Sequence, residues 1–268
     1  MAKAIVSPLL ERGEYNPQQV LGIVGRSSSI TSALNDLSQE VKVVSSKDSL
    51  SKEVWKAPIK ILAVKPQQLS KIKESVSSFQ SNDQFPKPLL ISVLAGITLK
   101  SLKKAFPRHT CVRAVPNTPS LVGQGLTGLA WPDDMTLDQK KVVRKIFEPI
   151  SEIYELEEPR LDSFLALTSS GPAYIALVVE AMADGAVAAG LSRHLSNQLA
   201  HKTLSGTASL IRQKSLHPAV LKDMVASPGG TTISALRHLE LAGLRSALIE
   251  AVVLAAQKSR QLAEEVSI

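Results

Sequence analysis

A chain of 268 residues, 44% hydrophobic and 21% charged, has the balance of a soluble globular protein and enough length for two domains. Aromatic residues make up only 4%, which argues against base-stacking platforms and a nucleic-acid partner. The formal charge is +7 but the basic residues are scattered; the nearest grouping, Lys100, Lys103, Lys104 and Arg108, reads as one solvated helix face, and the positive potential suits small anionic ligands.

Met1 to Gly13 reads as a helix ending at glycine, with Ala2, Ala4 and Ile5 small or apolar enough to pack closely on a sheet. Val20 to Val24 is a predicted strand, followed by the polar turn Gly25-Arg26-Ser27-Ser28-Ser29. Ile30 to Leu37 reads as a helix, Val41 to Val44 as a strand and Leu50 to Trp55 as a short helix. The apolar run Ile59 to Val64 is a strand that Pro66 cannot continue; the proline opens the next helix instead. Leu89 to Leu94 follows as a strand and Thr98 to Ala105 as a helix. Val112 to Val115 and Leu126 to Trp131 are strands, Leu137 to Phe147 is a helix, and Ile153 to Leu156 closes this half.

Strands alternating with helices, and apolar on both faces, specify an α/β fold: a doubly wound, Rossmann-like, mostly parallel sheet. Such sheets bind ligands beyond the carboxyl ends of their strands. The loops Arg26-Ser27, Lys65-Pro66, Ala95-Gly96 and Asn117-Thr118 all occupy that place.

After Glu158 only helical patterns remain, so the expected domains are 1–157 and an all-α 158–268. The expected helices are Ala173 to Ala189, Leu195 to Arg212, Pro218 to Val225, Thr232 to Ala242 and Leu244 to Glu264. The first of these is apolar on nearly every face and needs burial on all sides, which one small helical domain does not readily supply. A partner subunit is therefore expected, in a homodimer or larger homo-oligomer. Gly171 to Gly190 approaches membrane-span length, but Glu180 and Asp184 inside it favour a buried helix and no membrane partner. The single cysteine, Cys111, reads as a buried inert thiol. The five histidines have no zinc-ligand spacing, and no metal is expected. Pro8, Glu11 and Glu14 interrupt any signal-peptide pattern, so the expected location is the cytoplasm.

The stretch Ser227-Pro228-Gly229-Gly230-Thr231-Thr232-Ile233 organises the chemistry. It reads as a glycine turn running into a helix whose threonines cap the first amides. A helix start suits a carboxylate or phosphate, and the Thr232 hydroxyl reaches the same ligand. The same residues would also make an ordinary capped turn between helices.

The run from His217 through that turn to Leu248-Ile249-Glu250-Ala251-Val252 resembles the signature region of the pyrroline-5-carboxylate reductase family. Further matches are Ala63-Val64-Lys65-Pro66-Gln67, Ala95-Gly96-Ile97-Thr98, Arg113 with Pro116-Asn117-Thr118-Pro119, and Ser170-Gly171-Pro172-Ala173-Tyr174, so the resemblance extends over nearly all of the chain. It implies reduction of 1-pyrroline-5-carboxylate to L-proline by NADPH, with NADH as the alternative. It places Thr232 at the imine nitrogen as the catalytic residue. The substrate carboxylate is expected on the amides of Gly230, Thr231 and Thr232 with Ser227 nearby, and the cofactor at Arg26, Ser27, Ala63, Val64, Lys65, Pro66, Ala95 and Asn117. In the turn after the first predicted strand a cation and hydroxyls stand where a ribose-binding carboxylate would be, which suits the phosphate of NADPH. The rival readings are an oxidoreductase acting on hydroxy acids through a catalytic lysine, for which the helical half shows no suitable motif, and a non-catalytic dimeric binding protein.

The family opens on a strand and a glycine-rich turn, roughly ten residues in all. Met1 to Ile5 resembles the helix that follows them. Two explanations compete: a start assigned at an internal methionine, which is the expectation, or real loss of the element, which would weaken cofactor binding; in-frame translation of the DNA before Met1 tests them. Smaller departures from the family pattern are Ser169, Leu94, Val115 and Met224, which touch cofactor geometry rather than the reaction.

Overall fold

A computed structural model of the chain describes residues 1–37, 40–77 and 87–265. It comprises two compact units. The first holds Met1–Ser169 together with the chain from Ala255 on; the second is Ser170–Leu254.

The first unit is built on seven strands: β1 (Leu21–Val24), β2 (Lys42–Ser45), β3 (Ile59–Leu62), β4 (Leu89–Ser92), β5 (Thr110–Pro116), β6 (Gly125–Ala130) and β7 (Ser151–Glu155). They form two sheets, β1-β2 and β3-β4-β5-β6-β7. Every pairing is parallel except β5–β6, where Arg113 lies opposite Ala130 and Pro116 opposite Thr127. The expected doubly wound, mostly parallel architecture is thus present, with the reversal at β6 as its departure.

Alternation along the strands feeds a core on each face. Leu89 and Ile91 of β4 and Val112 and Ala114 of β5 join Ile5 and Leu9 of α1 (Ala2–Glu11) and Val143, Ile146 and Phe147 of α5 (Leu137–Phe147). On the opposite face Leu90 and Cys111 meet Trp55, Leu62, Leu69, Leu102 and Phe106. The helices on this face include α3 (Leu69–Ser77) and α4 (Leu99–Ala105), while α2 (Ile30–Leu37) packs against α1 and β2. All four β4 residues are buried, as a strand covered on both faces requires. Each fully buried aliphatic or Phe side chain contributes about 1.5–3 kcal/mol, so these two layers stabilise the unit. The tight turn before β6 demands glycine: a Cβ on Gly125 would meet the Ile150 carbonyl oxygen at 2.6 Å and collide with Ser120 Oγ.

Helix α6 (Leu161–Thr168) lies directly on β6, where a Cβ on Gly128 would stand 2.8 Å from Leu161 and Phe164. That contact holds residues 158–169 with the sheet. The unit boundary therefore falls at Ser169/Ser170 rather than after 157, and the last turns of the C-terminal helix also belong to the first unit.

The second unit contains α7 (Gly171–Ala188), α8 (Arg193–Lys214), α9 (Pro218–Met224), α10 (Thr231–Leu241) and the first half of α11 (Leu244–Glu265). Helices α7 and α8 pack through Val179 and Ala183 against Ala200 and Leu204. The rest of α7 is open within the chain: Leu177 is 66% exposed, Ile175 45% and Met182 44%. The run Glu158–Ala188 is long and apolar enough to cross a membrane by length and composition, with Glu180 and Asp184 within it.

Candidate active site

In the second unit the site begins with a turn. Pro228 and Gly229 occupy its central positions, Gly229 at φ +66, and the Gly230 N–H closes it on the Ser227 carbonyl at 3.0 Å. This is type II turn chemistry, proline fixing the first central residue and glycine supplying the positive φ of the second. A Cβ on Gly230 would collide with Ser227 Oγ, so any side chain there would force that hydroxyl to turn away.

Helix α10 starts immediately, with Gly230 as its N-cap and no side-chain cap bond. Two expectations are corrected here. The threonines do not cap the helix: Thr231 and Thr232 are its first two residues, already inside it. The Gly230 amide is not free for a carboxylate, being engaged in the turn. The amides of Thr231 and Thr232, as expected, and that of Ile233 remain open; they make no backbone or capping bond among the described residues. Ser234 is the first to close the helical ladder, its N–H donating to the Gly230 carbonyl. Thr231 is exposed and Thr232 half-buried, and neither hydroxyl, nor that of Ser227, has a partner among the described residues. The result is three aligned N–H groups at the positive end of an 11-residue helix, beside three hydroxyls without a partner among the described residues.

In the first unit the expected cofactor residues lie beyond the carboxyl ends of parallel strands. Arg26 and Ser27 are exposed directly after β1, Arg26 heading the 3-10 turn Ser27–Ser29 without a side-chain cap. Ser46, after β2, fixes this turn: its N–H donates to Val24 O at 2.8 Å and its hydroxyl to Gly25 O at 3.5 Å. After β3, Ala63 and Val64 are half-buried and Lys65 exposed, and Pro66 opens the 3-10 turn Pro66–Gln68. These two loops meet, a Cβ on Gly25 lying 4.0 Å from Gln68 Nε2. The donor set, a guanidinium, an ammonium, serine hydroxyls and uncapped turn amides, fits a phosphate-bearing dinucleotide.

After β4, Ala95 is exposed and Gly96, at φ +73, lies against the backbone of Leu262 and Ala263 of α11. Asn117, after β5, is buried. Its amide donates to Thr168 O and its carbonyl accepts from Leu126 N, both at 2.9 Å. Its side chain therefore braces the β5–β6 turn and α6, with one donor and one acceptor position still open. A cleft of ≈ 790 Å³ opens elsewhere on this unit, between Lys100 and Lys103 of α4 and Trp131, Glu157 and Glu158. None of the candidate residues lines it.

A family model described as "Pyrroline-5-carboxylate reductase dimerisation" matches residues 158–262, which include the whole turn and α10. Over 99% of this chain and 96% of the relative, the sequence is 39% identical to a pyrroline-5-carboxylate reductase of Synechocystis. The chain belongs to the pyrroline-5-carboxylate reductase family. The reductase of Glycine max is 36% identical over 98% of this chain and 92% of its own. A Plasmodium falciparum pyrroline carboxylate reductase, solved with NADP bound, superposes with a TM-score of 0.81 at 27% identity, covering 97% of this chain and 93% of that one.

Against this family background one buried network went unread in the sequence. Arg113, 1% exposed on β5, pairs with Glu158 at 3.4 Å and Asp162 at 3.3 Å. Glu158 Oε1 also accepts the Leu99 N–H at 2.6 Å, and Asp162 Oδ1 accepts the Ser259 hydroxyl at 2.7 Å. An arginine inside an apolar strand signals that carboxylates must meet it, because a buried charge is tolerated only when paired. Nothing local pointed to Ser259, which is 97 residues from its partner.

Proposed function

We propose that this chain reduces 1-pyrroline-5-carboxylate to L-proline with NAD(P)H, the last step of proline biosynthesis. The observation that carries the reading is the start of α10, where free amides and the unpartnered Thr232 hydroxyl stand together in the region the family model matches.

The amides of Thr231, Thr232 and Ile233 bind the substrate carboxylate, aided by the Ser227 hydroxyl. Thr232 Oγ1 donates a hydrogen bond to the ring nitrogen and orients the imine carbon. A threonine hydroxyl is too weak an acid to protonate the imine fully, so it positions a substrate that takes its proton from water. Bound NADPH would supply the hydride that the imine carbon accepts. Arg26 and Ser27 hold its ribose phosphate, Ala63 to Pro66 and Ala95 offer main-chain contacts, and Asn117 keeps the β5 loop in shape. NADPH is the preferred cofactor, supported by the cation and hydroxyls after β1 and by the NADP of the Plasmodium relative.

The working enzyme is a cytoplasmic homodimer. Support comes from the exposed apolar flank of α7 and from the dimerisation description of the matched family model. The lone buried Cys111, whose thiol burial pushes up to about 12, needs no oxidising compartment. The decisive assay follows NADPH oxidation by purified protein supplied with pyrroline-5-carboxylate and measures L-proline formed. One proline per NADPH is the expected result, and absence of both products at saturating cofactor refutes the reading.

A further inference from the structure

Ser259 belongs to α11, far in sequence from the strand loops, yet it sits inside the first unit and is 6% exposed. A buried serine hydroxyl needs a partner, and this one donates to Asp162 Oδ1 at 2.7 Å. Asp162, 8% exposed, shares that oxygen with Arg113 Nη2. Arg113 Nη1 reaches Glu158 Oε1, which accepts the Leu99 N–H. Leu99 is the first residue of α4, and Thr98 before it is the helix cap, its hydroxyl accepting from the Ser101 N–H at 3.1 Å. The loop leading into that cap is Ala95-Gly96-Ile97.

The same stretch of α11 touches the loop directly. A Cβ on Gly96 would lie 3.4 Å from Ala263 N and from Leu262 C, so backbone packs on backbone. Segment 95–98 is therefore held twice: by the helix surface at Gly96, and through a relay of buried and partly buried charge-assisted bonds at Leu99. The relay is sparse. Arg113 Nε has no partner among the described residues, so the guanidinium is aimed by its two carboxylates alone.

We propose that Ser259 is a positioning residue for the dinucleotide: acting through Asp162 and Arg113, it holds the Ala95–Thr98 loop in the shape that binds the cofactor. The proposal rests on the assignment of Ala95 to the cofactor made above. It assigns to the C-terminal helix a part in cofactor affinity that the strand-end loops do not reveal by themselves.

The test uses full-length protein and reads the NADPH dissociation constant by nicotinamide fluorescence, alongside steady-state kinetics. Ser259→Ala keeps Asp162 paired with Arg113 and is expected to fold. Its dissociation constant and KM for NADPH rise at least fivefold while kcat stays within twofold. Ser259→Thr restores both constants to within twofold of wild type, because the hydroxyl returns. A lowered kcat in folded Ser259→Ala, with KM and the dissociation constant unchanged, would mark a merely structural role and overturns the proposal, as does an unchanged dissociation constant by itself. Should Ser259→Ala not fold, Ser259→Cys decides: its thiol is a weaker donor to Asp162 and should raise the dissociation constant, and an unchanged value refutes the inference. Ala95→Asp separates the two layers of argument. If it leaves NADPH binding intact, the assignment of the loop to the cofactor fails and the proposal with it. If it weakens binding while Ser259→Ala does not, only the role of Ser259 falls.

Discussion

Thr232 stands at the second position of α10, so its hydroxyl is not required to satisfy a helix amide. Loss of a true cap costs about 0.5–2 kcal/mol, and here that penalty does not apply. Thr232→Ala should fold with stability close to wild type. In turnover, losing a hydrogen bond to the reacting imine costs about 1–3 kcal/mol, which is roughly tenfold to a hundredfold in rate. Thr231→Ala removes a hydroxyl of the same kind one residue earlier, leaves the amide, and should lose far less. Equal small losses in both variants would reduce the loop to an ordinary turn. Lys60 poses a different question. It is 3% exposed on β3 with the Ala57 carbonyl as its acceptor, and burial lowers its pKa from 10.5 to about 8. The folded state resists protonation of this amine, so between pH 8 and 10.5 the unfolded chain binds more protons and stability rises with pH. Below pH 8 the full penalty is present, at most roughly 3 kcal/mol. Relative to wild type, Lys60→Met should therefore gain most near pH 7 and progressively less as pH climbs to 10.5. Urea denaturation at both ends of that range measures the difference, and a pH-independent difference would contradict it.

The turn after β1 is a small element with a sharp consequence for cofactor choice. Arg26 heads it, Ser46 pins it, and no carboxylate lies within it. Arg26→Ala should lower the ratio of NADPH to NADH affinity about tenfold, the scale of one lost charge-assisted bond; an unchanged ratio would remove the residue from the phosphate site. Elements of this kind were legible because their ends carry punctuation. Pro66 stops β3, Thr98 caps α4, and the apolar runs between them have strand length. The start of α10 departs from the expected capped turn for a physical reason: Pro228-Gly229 closes the turn before Thr231, which pulls both threonines into the helix and engages the Gly230 amide. Helix α6 was not separated from its neighbours, because its N-cap Arg160 makes no side-chain cap bond and its apolar residues run on towards Ala173. The reversal of β6 and the reach of Ser259 depend on long-range pairing that no local pattern encodes.

At the scale of the whole molecule the exposed apolar flank of α7 is the surface proposed for self-association. Leu177, Ile175 and Met182 cannot all remain in water on a stable monomer without a large exposed patch. Light scattering at micromolar concentration should give a dimer or a multiple of one. Leu177→Asp places a charge on that flank and should shift the population towards monomer, with activity falling in parallel. A wild-type monomer under these conditions would refute the interface.

The separation of β1-β2 from the five-stranded sheet has a kinetic meaning. Two strands of four residues, with β1 only half-buried, form a unit that is marginal by itself. Its amide hydrogens should exchange with solvent through small local openings, well before those of β4 and β5, which need the core to open. The turn carrying Arg26 and Ser27 rides on this labile pair. A dinucleotide gripping that turn would close the openings by mass action. Deuterium uptake at Leu21–Val24 and Lys42–Ser45 should therefore slow on adding NADPH, while uptake at Leu89–Ser92 barely changes. On this account the cofactor completes the ordering of the strands that receive it.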